Sequence, residues 1–237
     1  MISVDGTIPS QQTMRVSSFE IGTLVKVERD PDDCTTSNYD NGKCRLITVK
    51  NGGKLHLSWV HLAGGHVGLT YTNLESTHGG LVYLHGSNSK LHAIGTTFGT
   101  GSVADVPIQK AAYSGGAIAV RAGPTVILED SNVIGNWADS EGGGITATVR
   151  AKVSLIRTSI RGNKITTSRA AAGGGGIAVV LDSLLISVDS IISDNTAPAG
   201  KGGGVHMRYG CDSGDVDGCN RVILATTVRA YNSDIFN

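Results

Sequence analysis

Gly115-Gly116-Ala117-Ile118 is the first full copy of a short phrase that returns three more times along the chain. The later copies read Gly-Gly-Gly-Ile at 142–145 and 174–177 and Gly-Gly-Gly-Val at 202–205. Short strand-like runs follow the openings, as in Ile118-Ala119-Val120 and Val126-Ile127-Leu128. Self-similarity at a nearly constant spacing is the signature of stacked structural repeats. The phrase therefore decides the architecture, and it decides the function much less.

The first three copies end on an apolar residue that is followed three positions later by asparagine. The pairs are Val133/Asn136, Ile160/Asn163 and Ile192/Asn195. Asparagine tolerates a left-handed backbone, and its amide can hydrogen-bond to the same amide in the next repeat. We therefore expect Asn136, Asn163 and Asn195 to line up at one turn as a structural ladder. The alternative is that they are ordinary turn residues, and neither interpretation makes them catalytic.

Weaker copies precede the first full one. Ile47-Thr48-Val49, Leu55-His56-Leu57 and Leu62 take the places of Ile118-Ala119-Val120, Val126-Ile127-Leu128 and Val133, and a second weak copy runs from Gly79 to Phe98. Treating Arg45, Gly80, Gly116, Gly144, Gly176 and Gly204 as equivalent turn positions gives repeats of 28 to 36 residues. The length varies mainly after the asparagine, so insertions are expected at one corner of the repeat.

Strands of three to five residues rich in Val, Ile and Leu cannot bury a face alone, but stacked copies can. We predict an all-β fold, a right-handed parallel β-helix of about six to seven coils. Residues 1–44 would form an N-terminal cap and an irregular first coil with a stapled loop, and residues 45–237 the β-helix repeats. Ser187 takes the place of Leu128 and Leu155, which predicts a shift of register there, and the last copy should have its strands at 205–209 and near 221–224. The predicted inward-facing residues are Ile118, Val120, Val126, Leu128, Val133, Ile145, Val153, Leu155, Ile160, Ile177, Val179, Leu185 and Ile192.

Composition and charge argue against a nucleic-acid-binding protein and against a membrane-spanning helix. The 237 residues carry 20 basic and 20 acidic side chains, for a net charge of zero, without a basic run of the kind that binds nucleic acid. The longest apolar stretches fall short of the roughly 18 residues that a membrane-spanning helix needs. The first residues lack the charged start and apolar centre of a signal peptide, which fits a mature piece or an excised segment.

The four cysteines fall as two close pairs, Cys34/Cys44 and Cys211/Cys219. Each pair brackets a polar loop rich in Asp and Gly, so we expect two local disulfides and an oxidising compartment. By chain entropy, a loop of about ten residues would contribute roughly 2–3 kcal/mol. The alternatives are free thiols in a reducing compartment and, with less support from the spacing, a zinc site.

Several polar groups could carry chemistry, and each has a structural alternative. Asp130, Arg157 and Asp189 fall at equivalent positions and could be an acid–base column or an ion pair between coils. His56 and His92 could hold a metal or simply face solvent, and Asp212, Asp215 and Asp217 could bind calcium or form a solvated loop. Trp59 and Trp137 could stack on a sugar or cover a coil corner. We expect no catalytic residue, no cofactor and no resident metal.

The Gly-Gly-Ala-Ile opening and the apolar-x-x-Asn ending resemble the repeat of chlamydial polymorphic outer-membrane proteins. Similar repeats occur in pectin-lyase-like surface proteins of bacteria and algae. The resemblance covers about 45–237 and is clearest over 115–204, with two departures: Gly replaces Ala in the later openings, and Val or Ile replaces the usual Phe before Asn.

The resemblance implies a secreted or surface-attached protein with an adhesive or structural role. We therefore expect a non-enzymatic extracellular module of a larger surface protein or self-assembling fibre. Its partners would be other protein chains, with glycans as a further class, and neither nucleic acid nor a membrane span is expected. The end at Ile235-Phe236-Asn237 lacks a polar cap, so we expect it to meet another chain or further sequence. The alternative is an enzyme or binding protein of the same fold that acts on polysaccharides.

Overall fold

A computed structural model describes the strands and turns of most repeats. The described residues are 6–8, 13–17, 25–28, 45–65, 67, 78–99, 114–166, 173–197, 202–208, 227–231 and 234–235. Within these residues every regular element is a β-strand, so the fold is all-β as predicted. No described helix is long and apolar enough to cross a membrane.

The strands form three seven-stranded sheets and one small two-stranded sheet. The first sheet contains, in order, β1 (Gly6–Ile8), β4 (Ile47–Lys50), β7 (Val82–His85), β10 (Ile118–Arg121), β14 (Ile145–Thr148), β18 (Ile177–Val180) and β21 (Val205–Arg208). The second contains β2 (Thr13–Ser17), β5 (Lys54–Ser58), β8 (Lys90–Ile94), β11 (Thr125–Glu129), β15 (Lys152–Ile156), β19 (Leu184–Val188) and β22 (Thr227–Tyr231). The third contains β3 (Val25–Glu28), β6 (Val60–Ala63), β9 (Thr97–Gly99), β12 (Asn132–Ile134), β16 (Ser159–Arg161), β20 (Ile191–Ser193) and β23 (Asp234–Ile235), and the small sheet pairs β13 (Trp137–Ala138) with β17 (Lys164–Ile165).

Each strand pairs in parallel with the strand that occupies the same place one repeat later. The chain therefore winds as a parallel β-solenoid, with about four turns in its most fully described part. Consecutive coils lie about 4.8 Å apart, because that is the spacing of hydrogen-bonded strands. The right-handed sense, the total of six to seven coils and the domain boundary at residue 44 stay predictions.

The core is the set of aliphatic side chains that fill the inside of the coil. Along the second sheet burial alternates strictly, with the second and fourth residues of β11 and β15 inside. Val126 lies opposite Val153, and Val153 lies opposite Leu185, so the three side chains stack in adjacent layers. Every residue of the predicted inward-facing set is buried, which confirms the prediction from hydrophobic alternation.

Three details of the predicted register are wrong. Ser187 lies directly opposite Leu155 and is fully buried, so this coil accepts a smaller side chain without a shift. Ile118 lies opposite Ile145, which puts Ala117 and not Gly116 in the column of Gly144. Gly176 and Gly204 continue the Ala117 column. The second strand of the last copy is β22 and not 221–224, because Val228 is the residue opposite Leu185.

Two glycines in the repeat phrase are required for different physical reasons. Gly142 has a φ of 58°, a left-handed conformation in which a side chain would be strained. The turn folds Glu141 back over β14, where its carbonyl accepts a 2.7 Å hydrogen bond from the hydroxyl of Thr146. Gly143 is limited by space, since a Cβ there would lie 2.3 Å from the carbonyl oxygen of Gly175 in the next coil. The phrase therefore encodes a tight turn whose copies stack backbone on backbone.

In four described coils the corner between the first and second sheets has two consecutive residues with left-handed backbone. The first of these pairs is Asn51-Gly52, which such turns favour. The next coil has a longer corner at 86–89, in which Gly86 and Asn88 have positive φ, and the following pairs are Ala122-Gly123, Val149-Arg150 and Leu181-Asp182. The left-handed backbone is therefore kept in later coils even where the residue, as at Val149 and Leu181, is one for which this conformation is energetically unfavourable.

Candidate functional site

The asparagine column is a buried hydrogen-bond ladder. The Nδ2 atom of Asn136 donates to Oδ1 of Asn163 at 3.0 Å, and that of Asn163 donates to Oδ1 of Asn195 at 3.0 Å. Each Nδ2 also reaches a backbone carbonyl of the preceding coil. The asparagines lie in one column as expected, but the left-handed residue is the one before each of them: Gly135, Gly162 and Asp194. The ladder stabilises the stack and offers no reactive group to solvent.

A second column runs along the corner between the second and third sheets. Its members follow the ends of equivalent strands and all have left-handed backbone, with φ between 47° and 58°. They are Trp59, Gly95, Asp130, Arg157 and Asp189. The corner therefore repeats one backbone conformation in each coil while its side chains change.

Asp130 and Arg157 form a two-point ion pair between adjacent coils. Nε of Arg157 donates to Oδ1 of Asp130 at 2.6 Å, and Nη2 donates to Oδ2 at 2.8 Å. The hydrogen bonds from Arg157 lower the pKa of the Asp130 carboxyl. A glycosidase acid needs a raised pKa, so this geometry favours the ion-pair interpretation over an acid–base column. Both side chains are about half exposed, so the pair adds little to stability.

Trp59 is the large aromatic exposed on this corner. Its side chain is 43% exposed, and its backbone φ of 56° is unusual for a bulky residue. The six-membered part of the indole lies against Gly95, where an added Cβ would be 2.5 Å from ring carbon Cε3. Because Gly95 has no side chain, the indole packs directly against the backbone of the adjacent coil. Sequence reasoning noticed Trp59 but could not find Gly95, because their contact depends on the register.

His56 and His92 lie in one column on the outer face of the second sheet, as predicted. Their ring centroids are 5.8 Å apart in an edge-to-face arrangement. Nε2 of His92 contacts Oε1 of Glu129 at 2.9 Å. The part of the chain that the structure describes holds no cluster of three or more metal-ligating side chains, and these two histidines belong to none.

Cations surround His56. Burial is the main cause that lowers the pKa of His56. Charge repulsion from Arg15, His92, Lys90 and Lys54 lowers it further. Lys54 and Lys90 are directly opposite each other in adjacent coils. Like charges in such pairs are unfavourable, and no described carboxylate is paired with either lysine. This part of the outer face therefore carries positive charge that the described residues do not compensate.

Further along the same face the outward side chains become aliphatic. They surround Ser154, and each is partly exposed: Ile127, Ile156, Leu184, Ile186 and Val188. We call these five residues the aliphatic wall. Sequence reasoning missed it, although Leu184-Leu185-Ile186-Ser187-Val188 lacks the polar alternation expected of a strand with one wet face. The same coil continues this apolar surface at Ile191, which is 49% exposed.

Glu141 is a largely buried carboxylate outside this face. It contacts Nη2 of Arg208 at 2.7 Å, and its side chain is only 13% exposed. Burial raises the pKa of Glu141, and the positive charge of Arg208 opposes the shift. Since its turn packs over β14 and it has an ionic partner, we assign Glu141 a structural role.

The remaining sequence-predicted residues divide into two groups. Trp137 is part of β13, packs against Val67 and has a buried indole nitrogen, so it covers a coil corner and does not form a platform. The others lie outside the described residues: Cys34, Cys44, Cys211 and Cys219 with their predicted disulfides, and Asp212, Asp215 and Asp217.

Comparison with known proteins gives no further assignment: no protein-family model, no curated protein and no solved structure matches this chain.

Proposed function

We propose that this chain is a non-enzymatic structural or adhesive module that acts outside the cell or at its surface. The resemblance to polymorphic outer-membrane-protein and pectin-lyase-like repeats supports this proposal at the level of the family. The solenoid supports it physically, because a stack of parallel coils is a rigid rod with long flat walls. Such a rod suits a fibre or a surface protein, and the predicted disulfides would suit an oxidising compartment.

The aliphatic wall carries the proposal. Five aliphatic side chains stand partly exposed on three adjacent strands of one flat sheet. Exposed apolar patches on soluble proteins mark interaction surfaces, and a flat sheet face packs best against another flat sheet about 10 Å away. The second copy of this chain presents the same flat face, so we infer that the wall joins copies of the protein.

The chemistry of the described residues favours this role over catalysis. Asp130 is held by Arg157, Glu129 by His92, and Glu141 by Arg208, so these three carboxylates each have an ionic or hydrogen-bonding partner. A polysaccharide-cleaving enzyme remains the second candidate because the fold is shared. A reducing-sugar and unsaturated-product assay over acidic polysaccharides separates the two, since a scaffold releases neither product.

The direct test is the concentration dependence of molecular mass by light scattering. We expect the wild-type chain to associate as its concentration rises, and Ile186→Lys, at the centre of the last strand of the wall, to remain monomeric. The control is Ser58→Lys, which places the same charge on the outer face of β5, two strands from the nearest strand of the wall. A wild-type chain that stays monomeric at every concentration, or an Ile186→Lys variant that associates as well as wild type, contradicts the proposal.

A further inference from the structure

We propose that the outer face of the second sheet in the early coils binds an anionic polysaccharide, with cationic side chains holding its acidic groups and Trp59 stacking against a sugar ring. This site is distinct from the aliphatic wall, and it gives the proposed adhesive module a ligand. Its parts are a polar cleft, a cationic row and an aromatic platform, positioned by β2, β5 and β8.

The cleft lies where the chain enters the two strands. It has a volume of about 700 Å³ and is lined by Asn51, Gly52, Lys54, Gly86, Ser87 and Asn88. The Ser89 hydroxyl links the two turns that line the cleft. Its Oγ accepts a hydrogen bond from the Gly52 N–H at 3.1 Å and donates one to the His85 carbonyl at 2.9 Å. Amides, hydroxyls and a lysine in a braced cleft are groups that orient sugar hydroxyls and acidic substituents.

The cationic row consists of Lys54, Lys90 and Arg15, and it runs from the cleft toward the middle of the face. Lys54 lies opposite Lys90 at the start of β5 and β8, and Arg15 of β2 lies opposite His56 in the middle of β5. Lys54 and Arg15 are exposed, and the nearest described carboxylate on this face, Glu129, is engaged by His92. Stacking two lysines in register costs stability unless an anion lies across them. The row therefore matches a ligand that carries repeated negative charges.

The aromatic platform closes the other end. Trp59 follows the last residue of β5, so the distance from Lys54 to Trp59 along the strand is about 17 Å at roughly 3.3 Å per residue. That length accommodates several sugar units in a row. The indole is exposed and rests on Gly95, so its free face points outward. The negative face of an aromatic ring attracts the C–H groups of a sugar ring.

The backbone of Trp59 is a second, independent observation. Left-handed backbone is costly for a residue with a large side chain, and strain of this kind concentrates at functional positions. The equivalent positions in other coils hold Gly95, Asp130, Arg157 and Asp189. A glycine would remove the strain at residue 59, so the presence of a tryptophan with an exposed ring points to a role for the ring.

Binding of the full-length chain to defined polymers, measured by isothermal titration calorimetry, tests the proposal. The probes are polygalacturonate for carboxylate groups, dextran sulfate for sulfate groups, and neutral dextran. We expect one or both charged chains to bind, with affinity that falls as NaCl is raised, and dextran to bind at least tenfold more weakly. The preferred charged chain identifies the acidic group.

Three variants locate the site. Lys54→Ala/Lys90→Ala should weaken binding at least tenfold, and Trp59→Gly should weaken it several-fold while keeping the fold, because glycine suits the backbone there. Lys152→Ala is the control, since Lys152 occupies the same column outside the site and should change affinity less than twofold. Thermal unfolding of each variant checks that the solenoid is intact.

Three results overturn the proposal: no binding of either charged polysaccharide to the wild type, equal binding of dextran, or affinity unchanged in both site variants. Single-stranded DNA is a further probe, and DNA binding that Trp59→Gly leaves unchanged would mark a general polyanion surface and also overturn it. Self-association through the aliphatic wall is measured separately, so failure of polysaccharide binding leaves that result intact and the reverse also holds.

Discussion

Removal of the central rung of the asparagine ladder is the most informative stability perturbation. Asn163 is fully buried and makes four hydrogen bonds through its amide. Its Nδ2 donates to the Val133 carbonyl at 2.8 Å and to Oδ1 of Asn195 at 3.0 Å. Its Oδ1 accepts from the backbone N–H and from Nδ2 of Asn136, both at 3.0 Å. The side chain therefore links three successive coils.

Asn163→Ala removes the partner of one buried backbone donor, the Asn136 N–H, and one of the hydrogen bonds to the carbonyl of Val133, a residue that also pairs with β16 in the sheet. The amides of Asn136 and Asn195 keep their other hydrogen bonds, so the damage is concentrated on those two groups. A buried unsatisfied polar group costs about 1–3 kcal/mol, so we expect a loss of roughly 1–3 kcal/mol from the Asn136 N–H, to which the lost bond to the Val133 carbonyl adds. That is a measurable share of the roughly 5–15 kcal/mol that stabilises an ordinary domain.

Equilibrium unfolding in urea, followed by circular dichroism, measures this loss. The control is Asn132→Ala, which removes an amide from the surface of β12 and should change the unfolding free energy by no more than about 0.5 kcal/mol. The slope against urea must stay equal among variants, because stacked repeats can lose all-or-none unfolding. A loss for Asn163→Ala no larger than that of the control would refute the ladder as a stabilising element.

Three further predictions concern other features of the coil. Gly143→Ala should destabilise the protein by about 1–3 kcal/mol or more, because its Cβ would meet backbone oxygens of two other segments, and a variant with wild-type thermal stability would contradict this. Replacing Val149-Arg150 with the chain's own Asn51-Gly52 pair should raise the unfolding free energy by about 1–2 kcal/mol, since both positions are left-handed; urea unfolding that detects no gain counts against the turn assignment. Burial raises the pKa of Glu141 above its ordinary value of 4.5, so its charged form is disfavoured in the folded state and its contribution to stability falls as pH rises. The unfolding free energy of Glu141→Gln relative to wild type should therefore increase from about pH 4 to about pH 7, and a difference that is constant or decreases with pH contradicts the prediction.

The sequence was sufficient to predict the fold because its strongest signal is local and repeated. Val126, Val153 and Leu185 each sit in the same alternating pattern, and their pairing follows once the repeats are aligned. The sequence did not correctly align the glycines of successive repeats, because Ala117 and not Gly116 lies in the column of Gly144. In a run such as Gly142-Gly143-Gly144 each residue looks alike, and only the register distinguishes the left-handed turn from the position that lacks space for a Cβ.

The candidate sites were less accessible from the sequence, because they depend on contacts between coils. The alignment of the repeats predicted that Asp130 and Arg157 would be neighbours, because both follow equivalent strands, and their hydrogen bond confirms this. It could not reveal that Trp59 adopts a left-handed backbone, because tryptophan rarely does so. Nor could it reveal that Gly95 lies under the indole.

Register is the central claim, because the core, the ladder and both proposed surfaces follow from it. The most direct test is disulfide trapping with Thr125→Cys/Lys152→Cys, two outward positions opposite each other in adjacent coils. Their Cα atoms should lie about 4.8 Å apart, within the roughly 4.4–6.8 Å that a disulfide spans. Peptide mass spectrometry should find this bond formed, and should not find one in Thr125→Cys/Leu184→Cys, where the positions are two coils apart at about 9.6 Å. Efficient trapping of the second pair with none of the first would contradict the stacking of the coils.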